Sequence, residues 1–398
     1  MVRARVAAIL AAIVVMGYAV LPAAGQATPT PGVTDAEITL GMFASMTGPL
    51  APTGTAARDG LNVWAAEVNA RGGIHGRRVR ILAYDDAGSP AEAVAAVRRL
   101  VFQDQVFALV CGSGSAPTLA AMDLIRQTGV PFVSCISAHR NVLQPFARNV
   151  FRIYANEIAQ GRGLIDHIAG TKAHKRIAIL YNSTDFGVGG HEIMSAYLRQ
   201  KYSLEFVSEH RYNVGDQDFS AQLLRIRQAN PDAVILHAFA AEAGIIARQA
   251  RELGLLMPLY GGGGVPTPLF PRAAGSVGVG VVAVWVFPVF PESEAPPVQL
   301  YKRRAQQHLF SGGFPVGRPS LYDMTGYIGG DVTGEGLRRA GRALTRDGFI
   351  RALESLNGYV PGDGLGFPIT FTGRNHEGTD RVVMARLSGR LQWEILSE

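Results

Sequence analysis

The sequence predicts an α/β protein built as two doubly wound parallel-sheet lobes. Three observations carry this. Short apolar runs alternate with amphipathic stretches of helical period. Glycine and serine gather where the apolar runs end. The alternation runs twice, once up to about residue 155 and again from about residue 156.

In the first series, residues 37–42 alternate apolar and polar side chains and read as a strand. A helix follows with Ala57, Leu61, Trp64, Ala65 and Val68 on one face, ending near Gly72 and Gly73. Residues 79–84 form the next strand. Ser89, Pro90 and Glu92 make a helix start, with the serine as cap, the proline in the first turn and the carboxylate at the capping-box position. Strands at 106–110 and 131–135 flank a helix over 117–127. In the second series, strands fall at 177–181, 205–208 and 233–237, with helices near 158–168, 191–201, 219–228 and 242–253. Strands alternating with helices of this length require parallel sheets joined by crossovers. The last third breaks the rhythm, with a strand-like stretch over 277–287, helices near 298–308, 320–340 and 346–356, and a β-rich end over 367–396. The chain is therefore expected to return to the first lobe and then to the second. The expected division is 36–155 with 286–356 for one lobe, and 156–285 with 357–398 for the other.

At 398 residues and 47% hydrophobic composition, the chain is long enough for two cores. Its net charge of +6 is scattered, with short runs at Arg77–Arg78 and Lys302–Arg304, and no basic stripe interleaved with aromatics suggests nucleic acid. Arg3 and Arg5 precede an apolar run over 6–20, followed by small residues at Ala23, Ala24, Gly25 and Ala27. Residues 1–27 read as a signal peptide, since the run is short of the roughly 20 residues that span a bilayer. No cysteine follows it, so no lipid anchor is expected, and the mature chain is expected in the periplasm. The two cysteines, Cys111 and Cys135, end neighbouring strands. An exported protein can pair them, but adjacent parallel strands often lack disulfide geometry, so two buried free thiols is the favoured reading.

Motifs of enzymes are missing. There is no GxxxxGK[ST], GxSxG or GxGxxG segment, and His191-Glu192 fails as a zinc site because Ser195 stands where the second histidine belongs. No metal or cofactor is expected, and no catalytic residue. Asp85 and Asp86 sit at a strand end, where such pairs serve turns and caps. Residues 112–117, GSGSAP, open a helix after a strand, where backbone N–H groups and the Ser115 hydroxyl can face an anion. An ordinary N-cap and turn is an equal reading of that segment alone. Ligands of open α/β sheets bind beyond the carboxyl ends of strands, which favours the anion. The glycines at 261–264 would permit a close backbone approach on the second lobe.

Residues 45–51 (SMTGPLA), 67–77 (EVNARGGIHGR) and 84–86 (YDD) with Pro90 are similar to the opening of the Leu/Ile/Val-binding family of periplasmic proteins. The similarity continues through Asp218-Phe219, 231–234 (PDAV), 249–254 (QARELG) and the tail from Gly364 to Trp393. The resemblance implies two lobes joined by three crossovers, a ligand in the cleft, lobe closure around it, and delivery to the membrane permease of an ABC importer. It places the ligand carboxylate on Ser115, with further contacts from Ile136, Ser137 and Ala138, the last standing where a threonine is common. Phe186 falls where relatives carry a tyrosine, and Phe239 or Ala240 fills another contact segment. Thr53 replaces a bulkier aromatic at the mouth. A disulfide of some relatives would need cysteines at Gly88 and Gly114. Gly263 stands where amino-acid binders place the acid that meets the ligand ammonium. Without that acid a buried ammonium lacks its charge partner, so the expected ligand is a carboxylate without a nearby ammonium, aromatic given Phe186 and Phe239. Glu242 is the alternative acid, which would restore an amino-acid binder. A soluble ligand sensor is the competing class.

Overall fold

The computed structural model describes residues 30–396. The expected signal peptide lies outside the described residues. Two sheets organise the chain. The first holds β1 (Glu37–Ala44), β2 (Arg78–Asp85), β3 (Ala108–Cys111), β4 (Phe132–Ser134) and β5 (Val150–Arg152) in the order β2-β1-β3-β4-β5, every pair parallel. The second holds β6 (Ile177–Asn182), β7 (Ser208–Tyr212), β8 (Ala233–His237), β9 (Leu259–Gly261), β10 (Val282–Trp285), β11 (Val383–Leu387) and β12 (Trp393–Ile395) in the order β12-β11-β10-β9-β8-β6-β7. It is parallel from β7 to β10, and β11 and β12 add antiparallel. The fold is α/β and doubly wound, as expected.

Both sheets share one parallel order. In each, the chain starts in the middle, moves one strand outward, then returns past its start. The order reverses between β1 and β3 in the first sheet and between β6 and β8 in the second. Loops at those reversals diverge and leave a crevice at the carboxyl ends of the strands. The central strands are buried on both faces, which is why β3 (ALVC) and β8 (AVILH) read as unbroken apolar runs. β7 is a sheet edge, paired only with β6, and its sequence SEHRY alternates exposed Glu209 and Arg211 with half-buried Ser208 and His210 and buried Tyr212. Its polar character explains why the strand lies at Ser208–Tyr212 and not at the more apolar 205–208.

Helices cover the sheets: α1 (Ala51–Ala70), α2 (Pro90–Arg98), α3 (Ser115–Thr128), α4 (Glu157–Ile165), α5 (Asp185–Tyr202), α6 (Ser220–Gln228), α7 (Ala240–Glu252), α8 (Leu269–Ala274), α9 (Pro296–His308), α10 (Leu321–Ala340) and α11 (Arg346–Glu354). The Ser89 hydroxyl caps α2 by accepting from the Glu92 N–H. α10 returns from late in the chain to pack on α1. Glycine makes the approach possible: a Cβ on Gly60 would stand 1.9 Å from the Asp323 carbonyl oxygen, and one on Gly326 1.9 Å from that of Ala57. Gly330 and Gly334 likewise leave room for the buried Trp64 ring.

The chain passes between the sheets three times: after β5, after β10, and before β11. The third passage comes late. Residues 368–378 first run beside β5, where Arg152 bridges to Glu377 and His376 stacks on Phe151 at 3.9 Å.

The cysteines correct the expectation of free thiols: Cys111 and Cys135 form a disulfide. Cys111 pairs with Ser134 in the ladder, but it is left-handed at φ 74°, which turns the strand end and brings the two Cα atoms to 4.4 Å. That separation falls inside the disulfide range. Among the described residues no helix is long and apolar enough to cross a membrane, and no cluster of His, Cys, Asp or Glu could hold a metal.

Candidate ligand cleft

A cleft of about 170 Å³ opens where the carboxyl ends of both sheets face each other. Loops after β1, β3 and β4 form one wall. The starts of α5 and α7 and the loop after β9 form the other, with Val286, Phe287 and the first turn of α10 at the back. None of the lining side chains is ionisable as an acid, a lysine, an arginine or a histidine; the polar ones are serine, threonine, tyrosine and glutamine.

α3 aims its N-terminus at this cleft. Gly114 is the N-cap and carries no side chain to satisfy the first turn. Pro117 has no N–H, so the amides of Ser115 and Ala116 are the open donors of that turn. The Ser115 hydroxyl joins them. Ser137 Oγ donates to Ser115 Oγ at 3.2 Å and itself accepts from the His139 N–H at 3.4 Å. Ser115 therefore keeps its own proton for the cleft. Three donors converge at a helix start, which suits an anion.

The opposite wall is aromatic. Phe186 lies parallel to Phe239, with centroids 5.5 Å apart, and to His237 at 4.4 Å. His237 Nε2 donates to the Phe186 carbonyl at 3.1 Å, which fixes the ring behind the wall. Burial pushes the His237 imidazole down to about 4, so it is neutral at physiological pH. Glycine again makes the packing possible, because a Cβ on Gly190 or Gly262 would stand 2.0 or 2.2 Å from this ring.

A profile of the family described as periplasmic binding protein matches residues 37–390. The chain belongs to this family. An amino acid binding protein of Pseudomonas aeruginosa is 29% identical over 240 residues, which cover 60% of this chain and 64% of that relative, so less than two thirds of its length is spanned. The Leu/Ile/Val-binding protein BraC3 of Rhizobium johnstonii is 25% identical over 319 residues, covering 80% and 84%. In fold, a branched chain amino acid ABC transporter from Thermus thermophilus with bound valine superposes with a TM-score of 0.82 at 21% identity, covering 92% of this chain and 97% of that one. A periplasmic binding protein type 1 from Bordetella pertussis gives 0.79 at 24%, covering 91% and 100%. Members of the family are binding proteins and not enzymes.

In this periplasmic binding protein, Thr53, Ser115, Ile136, Ala138, Phe186, Phe239 and Gly263 all line the cleft. Ser137 does not; it stands behind Ser115 as its hydrogen-bond donor. Ala240 does not either, being buried at the first turn of α7. Glu242 lies outside the lining: its carboxylate accepts from the Tyr212 hydroxyl at 2.6 Å and from the Gly215 N–H at 2.8 Å. Asp85 and Asp86 serve turns, as their position suggests, accepting from the N–H groups of Met46, Thr47, Ala87 and Gly88.

Gln160 was not legible in the sequence. Its Nε2 donates to the Ala155 carbonyl at 2.7 Å, which directs Oε1 at Gly263. Tyr154 and Tyr322 also line the cleft, and the Tyr154 hydroxyl donates to the Ile136 carbonyl. These residues sit in α4, after β5 and in α10, far in sequence from the glycine-rich strand ends that draw the eye.

Arg140, after β4, bridges to the second lobe outside the cleft. Arg140 Nη2 meets Glu192 of α5 at 2.9 Å, while its Nη1 holds the buried Glu157 at 3.1 Å. Burial raises the Glu157 carboxyl despite that arginine.

Proposed function

We propose that this binding protein captures a small carboxylate that carries no ammonium and delivers it to the permease of an ABC importer. The observation that carries the reading is the pairing of an anion-seeking helix start at Ser115 with a cleft that no ionised side chain lines. A carboxylate gains two amides and a hydroxyl there. A buried ammonium would find no carboxylate among the lining side chains, and its desolvation would cost several kcal/mol. Phe186 and Phe239 supply a flat apolar wall, which suits an aromatic or similarly planar remainder.

Contacts from both walls to one ligand favour the closed arrangement by their differential affinity for it. Export through cleavage of residues 1–27 would place the protein in the periplasm, beside its permease.

A thermal-shift screen of the protein lacking residues 1–27 tests this, because a ligand that binds only the folded state raises the melting temperature. Aromatic and other plain carboxylates are expected to stabilise it and leucine is not. Tight binding of leucine, isoleucine or valine would return the protein to the amino-acid specificity that its relatives' names carry. A carboxylate-bound form that engages a sensor kinase and no permease would make it a sensor.

A further inference from the structure

The wall that carries Ser115 holds a second serine of opposite polarity. We infer that Ser113, backed by Ser45 and Asp86, selects a hydroxyl on the ligand close to its carboxylate, so that the preferred ligands are hydroxy acids. The inference rests on the carboxylate reading given above.

Proton counting along the wall leads to it. Asp86 is fully buried. Ser45 Oγ donates to its Oδ1 at 2.8 Å. Ser45 has one proton, and the carboxylate takes it. The 3.0 Å contact between Ser45 Oγ and Ser113 Oγ must then use the proton of Ser113. Ser113 is left with lone pairs only. Its position is fixed, since its N–H and its carbonyl both bond the Thr118 hydroxyl, at 3.2 and 2.9 Å. Ser113 and Ser45 both line the cleft. The second oxygen of Asp86 is buried with no partner, so the carboxyl at the head of this chain has acceptor capacity to spare.

Two serines two residues apart thus present a donor and an acceptor on one wall. Two residues span at most about 7 Å. A ligand satisfies both if its hydroxyl lies near its carboxylate. The hydroxyl's single proton matches the single acceptor. An ammonium brings three protons and a full charge, while Asp86 stands one serine behind the wall. A hydroxyl also completes a continuous chain, ligand to Ser113 to Ser45 to Asp86, in which each bond polarises the next.

Isothermal titration with matched pairs tests the inference: phenylacetate against 2-hydroxy-2-phenylacetate, and 3-methylbutanoate against its 2-hydroxy and 3-hydroxy forms. The hydroxylated member is expected to bind about tenfold more tightly or better. In Ser113→Ala that ratio is expected to fall to within about twofold, whatever happens to the absolute affinities. Asp86→Asn is expected to give an intermediate ratio, with the melting temperature of each variant confirming that it folds. Equal binding of the pair, or a preference that survives Ser113→Ala, overturns the inference and leaves the carboxylate reading standing. Binding of amino acids but of neither acid overturns the carboxylate reading, and failure of every acid overturns both.

Discussion

Gln160 Oε1 stands 2.1 Å from the point where a Cβ on residue 263 would have to be. Two residues 103 positions apart therefore compete for one space, and the Gln160 side chain must shift before residue 263 can carry a Cβ. An acid at 263, where the family resemblance implies the partner of a ligand ammonium, has no room while Gln160 holds its place. Gly263→Glu alone is expected to lower the melting temperature, since overpacking costs about 1–3 kcal/mol, and to gain no amino-acid binding. Gln160→Ala with Gly263→Glu removes the obstruction and is expected to gain leucine or phenylalanine binding. Calorimetric titration of both variants checks this. Amino-acid binding by the single variant would show that Gln160 moves aside freely.

Ser115 donates to the proposed anion, and Ser137 only orients it. Ser115→Ala is expected to weaken carboxylate binding by about 10- to 100-fold, the range of a hydrogen bond to a charged group. Ser137→Ala is expected to weaken it only a few-fold. Equal losses in the two variants would mean that Ser137 reaches the ligand directly.

Cys111 and Cys135 close a loop of 24 residues. By chain entropy such a link stabilises the folded state by about 3 kcal/mol. The Cys111→Ser/Cys135→Ser protein is expected to unfold in urea at a lower midpoint by that free energy. Both cysteines precede loops of the ligand wall, so its carboxylate affinity is expected to fall as well. An unchanged midpoint in the presence and absence of a reducing agent would remove the bond from the stability of the fold.

His237 is held neutral at about 4, against an ordinary value of 6.5. Its unfolded form takes up a proton first as pH falls, so its contribution is intact above about pH 6.5 and is lost progressively toward pH 4. The full loss is about 3 kcal/mol. Stability measured between pH 7 and pH 4.5 is expected to fall, and to fall less steeply in His237→Gln. Parallel slopes for the two proteins would assign the acid sensitivity to other groups.

Much of this molecule was legible in its sequence, for physical reasons. Doubly buried central strands must be apolar throughout, so β3, β6 and β8 announce themselves. Parallel topology places ligand contacts beyond strand ends, which singles out the segments holding Ser115 and Gly263, whereas Ile136 was implied only by the family resemblance. What was not legible depends on three-dimensional approach. Gln160 lies mid-helix with no local pattern, and its role exists only because Gly263 comes beside it. The disulfide depends on the left-handed turn at Cys111, a conformation that a non-glycine residue does not advertise. β7 is an edge, where polar residues are at home and the apolar signal fades.

The close seam of α1 and α10 has a consequence for how the protein comes into being. Trp64 is covered by Gly330 and Gly334, more than 260 residues later in the chain. Ribosomes make the first residues of that seam long before the last. Until residues 321–340 exist, the first lobe is an exposed half with the Trp64 indole uncovered. Contacts this distant in sequence form slowly. The lobe that begins the chain is thus among the last parts to be finished, and a protein truncated before α10 would lose the lobe at its start along with the helices at its end.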